Sequence, residues 1–186
     1  MKTLIKILIP LQIAVIALSP VTSLGEDYSK TIKNKYNVND NAQLVIQNKF
    51  GEVRCLNWTE KAVSIEVTIT VDASSQEKAQ KLLDKISVSM SGSSDKVEAI
   101  TDIAETGFNN VEFSIDYIVM MPENVRLDLM NKFGDSYVEE VSGQSRLEIQ
   151  YGNMEIKSLK HSSNNIIVKF SDALHHVGTR FFRLFF

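Results

Sequence analysis

The chain is poor in cysteine and in net charge, and each shortage excludes a class of protein. A single cysteine among 186 residues excludes an internal disulfide framework and any zinc site built from several thiolates. The formal net charge of −3 and a pI near 5.7 argue against a nucleic-acid binder, because such proteins concentrate basic side chains on one face. The composition, 44% hydrophobic and 23% charged, is that of one folded domain with an additional segment.

Catalytic motifs are missing as well. The sequence contains no Gly-x-Ser-x-Gly elbow, no His-Glu-x-x-His and no phosphate-binding loop. Its three histidines, His161, His175 and His176, all lie near the C-terminus, and nothing nearby supplies further metal ligands at helical spacing. We therefore predict a protein that is not an enzyme and that requires no cofactor or metal.

The longest apolar run lies at the N-terminus and is too short to cross a bilayer. Two lysines precede the 12 residues 7–18, whereas a membrane-spanning helix needs about 20. Small residues follow, and this order predicts a signal peptide over residues 1–23, cleaved after Ser23 or alternatively after Gly25. An uncleaved anchor or a buried helix is the competing interpretation. Removal of the peptide leaves a net charge of −5 and an exported chain without a transmembrane segment, located in the periplasm, on the outer surface or outside the cell.

A short motif recurs along the chain: an aromatic residue, a glycine, then an acid or amide. The copies are Phe50-Gly51-Glu52, Phe133-Gly134-Asp135, Tyr151-Gly152-Asn153 and, with Ser in place of Gly, Phe170-Ser171-Asp172. The last three are spaced by 18 and 19 residues, with apolar residues at matching positions. A fixed period predicts rungs that bury their faces by stacking on one another, and local alternation predicts strands. We therefore predict a mainly β fold, a single-domain β-solenoid with rungs of 18–19 residues that is right-handed like most parallel crossovers.

The first two copies are separated by an insertion at about residues 59–122. Within it, period-two alternation predicts strands at 63–71, 86–90 and 111–117, and an apolar stripe predicts a short amphipathic helix at 75–85. No Pro- or Gly-rich linker divides the insertion from the rungs. We therefore predict one domain over residues 24–173, with the insertion packed on the rungs or continuous with their sheet.

Four ordered motifs carry a resemblance to a known family. They are Asn48-Lys-Phe-Gly-Glu-Val53, Tyr117-Ile-Val-Met-Met-Pro122, Asn131-Lys-Phe-Gly-Asp135 and Tyr151-Gly-Asn153. Over roughly residues 28–173 the chain resembles the putative-adhesin, β-strand-repeat family of exported proteins of Gram-negative bacteria. The resemblance implies a secreted or envelope-facing solenoid of mostly β structure. That family has no established catalytic residues, so the resemblance assigns no site.

Polar residues flank every repeat glycine and would form columns in stacked rungs, about 4.8 Å apart. An acidic column follows the glycine position, and a basic column lies two residues before it. Their members are Glu52, Asp135, Asn153 and Asp172 in the first column and Lys49, Lys132, Gln150 and Lys169 in the second. One interpretation is a calcium-binding or glycan-binding edge. We prefer solvated turns, because Asp and Asn favour positions beside Gly and no Asp-x-Asp-x-Asp-Gly loop is present.

Three apolar features have both a packing and a binding interpretation. Cys55 shares its slot with Val138 and Ile156, which predicts a buried hydrophobe rather than a nucleophile. Trp58 is predicted to pack at a corner of the core, and its exposure would instead favour glycan binding. The aromatic residues of the four motifs are predicted to stack inside the fold and fix the strand register rather than to form a ligand platform.

The repeat pattern ends at Ala173. His175 and Gly178 then occupy slots that hold apolar residues in earlier copies, and four of the nine Phe residues lie in the last six positions. We predict that residues 174–186 are an anomalous hydrophobic tail, produced by loss of the reading frame. The alternative is a native cap or sorting segment, but a cap has a polar outer face that this tail does not provide.

These patterns together predict an exported, non-enzymatic β-solenoid that acts as an adhesin or as a structural or interaction module of the cell envelope. Its partners would be a surface glycan or an envelope or matrix protein. One alternative is a carbohydrate-active β-helix enzyme, for which Glu52, Asp135 and Asp172 are the candidate acids. The other is a periplasmic accessory of envelope-stress signalling.

Overall fold

Two seven-stranded mixed β-sheets make up most of the protein. The computed structural model describes residues 26–104, 108 and 111–170, and the backbone of two short strands at 174–176 and 182–185. In chain order the elements are β1 (Glu26–Asn37), β2 (Gln43–Phe50), β3 (Val53–Asn57), β4 (Ala62–Ala73), α1 (Gln76–Leu83), β5 (Ile86–Gly92), β6 (Lys96–Ile103), β7 (Phe113–Met121), β8 (Arg126–Phe133), β9 (Ser136–Val141), β10 (Ser145–Gln150), β11 (Met154–Leu159), β12 (Asn164–Lys169), β13 (Leu174–His176) and β14 (Phe182–Phe185).

The chain alternates between the two sheets at the repeat motifs. Sheet A has the strand order β1-β4-β7-β3-β9-β11-β13, and sheet B has the order β14-β12-β10-β8-β2-β6-β5. The repeat strands pair in parallel, whereas β1 with β4, β4 with β7 and β5 with β6 are antiparallel. The prediction of a mainly β fold is confirmed. The described strands form two open mixed sheets. This arrangement does not by itself establish the solenoid that the repeat period predicts.

The slots deduced from the repeat agree with the strand register. In sheet B, Leu129 lies opposite both Ile46 and Leu147. In sheet A, Val138 lies opposite both Cys55 and Ile156. All six side chains are completely buried in one core shared by the two sheets, because alternate residues of each strand point inward. Burial raises the pKa of the Cys55 thiol to about 12, as expected of a packed hydrophobe.

The insertion is continuous with both sheets. Its strand β6 pairs in parallel with β2, and its strand β7 pairs in parallel with β3, so the insertion supplies a rung of its own. Helix α1 begins after Ser75, whose hydroxyl accepts a hydrogen bond from the Lys78 amide, and it buries Ala79 and Leu83. Strands β1 and β6 were not predicted. In β1 the residues that pack on the core are spaced by four, at Tyr28, Ile32 and Tyr36, so the strand lacks a visible period of two.

A buried polar network joins the two sheets within this rung. The Tyr117 hydroxyl on β7 lies 2.6 Å from Thr101 Oγ1 on β6, and Thr101 donates to Asn48 Oδ1 on β2 at 3.1 Å. Because the threonine proton is used on Asn48, the tyrosine hydroxyl donates to Thr101. Burial raises the pKa of Tyr117 to about 12. The phenol is therefore a neutral donor throughout the physiological range.

The described backbone of the tail extends both sheets. Strand β13 pairs with β11, and β14 pairs with β12, both in parallel. His176 lies opposite Ile156, and His175 lies opposite Glu155, so the predicted slot of His175 is wrong by one residue. The predicted signal peptide at 1–23, Asp172 and Gly178 lie outside the described residues. The origin of the tail stays a prediction.

Candidate functional site

The aromatic residues of the repeat motifs form a continuous stack along one edge of the protein. Successive ring centroids are 4.9 Å apart for Phe50 and Phe133, 5.1 Å for Phe133 and Tyr151, and 4.9 Å for Tyr151 and Phe170. The rings are inclined by 18°, 16° and 7° in the same order. These distances match the spacing of hydrogen-bonded strands, so the parallel register itself produces the stack. We call these four rings the turn stack.

The predicted interior position of these rings is wrong. Tyr151 is 47% exposed and Phe170 is 76% exposed, while Phe50 and Phe133 are half-buried. In each strand the aromatic residue lies two positions beyond the last inward-pointing residue, where the sheet ends. The period of two therefore directs the ring to the core side of the sheet, but the buried core does not extend as far as this position. The rings form a rim whose exposure rises toward the C-terminal copies.

The turns that carry the stack have two different backbone conformations. In the first two copies the left-handed residue is the glycine, with φ of 101° at Gly51 and 128° at Gly134. In the last two it is the aromatic residue itself, with φ of 54° at Tyr151 and 53° at Phe170. A non-glycine residue in this region costs about 1–2 kcal/mol. The most exposed rings are thus held on a strained backbone.

Close backbone contact explains why the motif contains glycine. A Cβ atom added at Gly134 would lie 2.2 Å from the Gly51 carbonyl oxygen, and one at Gly152 would lie 2.1 Å from the Gly134 oxygen. Neither distance is compatible with a side chain. The glycines are stacked backbone on backbone from one rung to the next, which keeps the rings of the turn stack at a fixed spacing.

Two buried asparagines support the first two turns, and the sequence reasoning missed them. Asn48 Nδ2 donates to the carbonyls of Phe50 at 3.0 Å and Ile115 at 2.9 Å. Asn131 Nδ2 lies 3.0 Å from the carbonyl oxygen of Gly51 and 3.1 Å from that of Gly134. An asparagine three residues before the glycine in both copies was the available signal. The later copies have apolar residues there, which matches their different turns.

The predicted acidic column is present, but it is part of the turns. Asp135 Oδ1 accepts from the Asn153 amide at 2.8 Å and from Asn153 Nδ2 at 3.2 Å. Asp116 of β7 was not predicted; it accepts from the Glu52 amide at 2.8 Å, and the Glu52 carboxylate pairs with Arg54 at 2.9 Å. Glu52, Asp135 and Asn153 lie in the turns that lead into β3, β9 and β11, which are adjacent in sheet A, so the column forms as expected. In the described part of the chain, no three acidic, histidine or cysteine side chains converge as metal ligands.

Trp58 lies at the opposite edge, and its predicted core position is only half correct. The side chain is half-buried, and its Nε1 donates to the Ala62 carbonyl at 2.7 Å. Lys35 Nζ lies 4.9 Å from the centroid of the indole ring. The ring forms part of the wall of a surface pocket of about 560 Å³. The turn stack and the Trp58 pocket are thus two separate candidate sites.

Comparison with known proteins gives no family for this chain. No family model matches it, and no curated protein matches its sequence. A crystal structure of a "putative adhesin" from Bacteroides fragilis NCTC 9343 matches 75% of this chain with 14% identity and a TM-score of 0.42. The chain spans 58% of that protein's length.

Two further structures are similar at lower TM-scores. A "putative cell adhesion protein" from Clostridium sporogenes ATCC 15579 matches 76% of this chain and 73% of its own, with 9% identity and a TM-score of 0.34. A "putative lipid binding protein" from Parabacteroides distasonis ATCC 8503 matches 78% and 61%, with 15% identity and a TM-score of 0.32. No residue role is carried over from these structures. Within the described residues, no helix has the length and hydropathy needed to cross a membrane.

Proposed function

We propose that this protein is an exported, non-enzymatic attachment module of the adhesin type, and that the turn stack is its contact surface. The observation that carries the proposal is the exposure of Tyr151 and Phe170 within a regular row of stacked rings. Large exposed apolar rings are unfavourable in water unless a partner covers them. Aromatic side chains are also the residue type most enriched at the centres of protein interfaces.

The surroundings of the stack have the composition of an interface. Glu52 and Asp135 follow the turn glycines directly, and Lys132 Nζ lies 5.2 Å from the centroid of the Phe133 ring, so polar groups accompany the apolar rings. The stacked glycines and the strained turns keep the rings in place before a partner binds, which lowers the entropy cost of binding. An extended edge of this kind suits a long or flat partner, such as a surface glycan or an envelope or matrix protein.

The proposal includes the processing and winding inferred from the sequence. Residues 1–23 are removed as a signal peptide, and residues 24–173 form the functional domain. Strands β8 to β12 wind as rungs of a right-handed β-solenoid, which the 18- and 19-residue spacing and the parallel register support. Extended solenoid faces are well suited to binding, because each rung repeats the same side-chain positions along the surface.

The proposal is tested by binding of the exported chain to a glycan array and to immobilised collagen and fibronectin, with and without calcium. The double variant Tyr151→Ser, Phe170→Ser should weaken binding by about 30-fold, the loss typical of interface hot spots. The matched control is Ile118→Ser, which removes a 45% exposed apolar side chain from the outer face of sheet A. Undiminished binding by the double variant, or cleavage of a glycan by the wild type, would contradict the proposal.

A further inference from the structure

The Trp58 pocket lies at the edge of the protein opposite the turn stack. Strand β3 begins just after the first repeat turn and ends beside Trp58, so its five residues separate the two edges by roughly 17 Å. The pocket has a volume of about 560 Å³. This lies within the range of small-molecule sites, about 300–1,000 Å³. The residues that line it include Asp40, Asn57, Trp58, Glu60, Glu123 and Asn124.

The aromatic wall of this pocket is fixed in position. Trp58 is held through its Nε1 by the Ala62 carbonyl, and its backbone amide donates to the Met121 carbonyl at 3.2 Å. Lys35 lies over the ring and forms an ion pair with Glu60. A cation supplied by the chain itself therefore already interacts with the indole. This arrangement favours a neutral ligand over an ammonium ligand.

Each carboxylate at the pocket has an ammonium partner. Asp40 pairs with Lys61 at 3.2 Å, Glu60 pairs with Lys35, and Glu123 shares Lys160 with Glu140, at 3.4 Å from Glu123. Each carboxylate retains acceptor capacity, and each ammonium retains donor protons. A ligand that carries both donors and acceptors but no charge can satisfy such a surface.

Two amides add to this set of polar groups. Asn124 Nδ2 donates to Asp40 Oδ1 at 3.2 Å. That bond, followed by the contact with Lys61, lowers the pKa of Asp40, which therefore stays an ionised acceptor well into the acid range. Asn57 also lines the pocket, and its Nδ2 donates to the Glu140 carbonyl at 3.0 Å.

We infer that the pocket lined by Trp58, Asp40 and Asn124 binds a neutral saccharide unit. A sugar ring has an apolar face that packs on an indole and hydroxyls that both donate and accept hydrogen bonds. The inference is independent of the proposed attachment through the turn stack, because the two sites share no residue and lie at opposite edges. Either can be wrong without affecting the other.

Trp58 is the single tryptophan of the chain, so its fluorescence reports this pocket alone. The full exported chain is titrated with chitotriose, cellotriose, xylotriose and mannotriose to about 10 mM, a range that covers weak carbohydrate affinities. We expect a saturable change with at least one of them. Asp40→Ala and Asn124→Ala should each weaken that affinity by about tenfold, the loss expected for a hydrogen bond to a charged or buried group.

The control variant is Phe170→Ser, which alters the turn stack and should leave the titration unchanged. Circular dichroism of each variant verifies folding, which surface substitutions at Asp40 and Asn124 should preserve. Failure of all four sugars to change the fluorescence overturns the inference. It is also overturned if both variants bind as tightly as the wild type, or if tetramethylammonium binds and the sugars do not.

Discussion

The first two and the last two turns of the repeat share a motif but differ in how they are supported. At Phe50 and Phe133 the ring is half-buried, a glycine takes the left-handed conformation, and a buried asparagine binds the turn carbonyls. At Tyr151 and Phe170 the ring is exposed, and the backbone of the aromatic residue itself is in the left-handed conformation.

The difference originates three residues before the glycine. In the first two turns an inward-pointing asparagine stands where the later copies have an aliphatic residue. Its side-chain amide donates hydrogen bonds to the turn carbonyls and so draws the turn toward the core. Where Ile149 stands instead, the carbonyls have no such partner, and the turn places its ring outward. A repeat motif therefore specifies where the chain turns, while the residue behind the turn decides which side chain is presented to solvent.

The largest effect is expected from Gly134→Ala. This substitution combines a φ of 128° with a Cβ position 2.2 Å from the Gly51 oxygen, so it should lower the free energy of unfolding by about 3 kcal/mol or more. Urea denaturation measures the change. Ser162→Ala, at an exposed turn, is the control and should alter stability by less than about 0.5 kcal/mol. A Gly134→Ala variant as stable as the control would show that the glycines do not fix the spacing of the stack.

An intermediate effect distinguishes the two turn types directly. Tyr151→Gly removes a stacked ring but also relieves the left-handed strain, so the two terms should cancel to within about 1 kcal/mol. Phe133→Gly has no strain to relieve and loses a half-buried ring, so it should cost about 2–3 kcal/mol. Thermal and urea unfolding of both variants test this. Equal losses would mean that the two turn types do not differ energetically.

The smallest effect concerns how the last two rungs are joined on the outer face of sheet B. Glu148 on β10 is buried and accepts from Lys169 of β12 at 2.8 Å and from Arg146 at 2.9 Å. The Lys169 hydrogen bond lowers the pKa of Glu148, and burial opposes that shift. Because the folded-state pKa lies below the unfolded one, this stabilisation is present above the unfolded value and is lost as the pH falls through the folded value.

Glu148→Gln should therefore show a flatter dependence of stability on pH than the wild type between about pH 6 and pH 3. Urea midpoints measured across this range provide the comparison. The control is Glu155→Gln on the exposed face of β11, which should keep the slope of the wild type. A wild-type slope in the Glu148 variant would indicate that this ion pair does not contribute to the cohesion of the last rungs.

The sequence predicted the parts of the fold that depend on local periodicity. Alternation located β4 and β5, and the motif spacing of 18 and 19 residues placed Leu129, Leu147 and Ile166 opposite one another, in agreement with the strand register. Strand β1 was missed because its lysine-rich residues lie at an exposed sheet edge, where burial imposes little pattern. Local reasoning cannot detect a strand whose pairing is decided by a partner 37 residues away, as Thr31 and Thr68 are.

The candidate sites were predicted only in part, for a related reason. The column of Glu52, Asp135 and Asn153 followed from the period, since stacking repeats the same position on each strand. The exposure of Phe170 did not follow, because it depends on where the core ends rather than on which side a residue points. The Trp58 pocket brings together the loop before β2, the end of β3 with the loop after it, and the loop before β8, and no sequence pattern links these segments.

Cys55 is a natural probe of how often the fold opens locally. It is the sole thiol of the chain, it lies fully buried on the strand where the insertion meets the repeats, and burial raises its pKa to about 12. A thiol reagent can therefore react only when the sheets part around β3. The labelling rate under native conditions would measure how often this junction opens, without any probe having to be introduced.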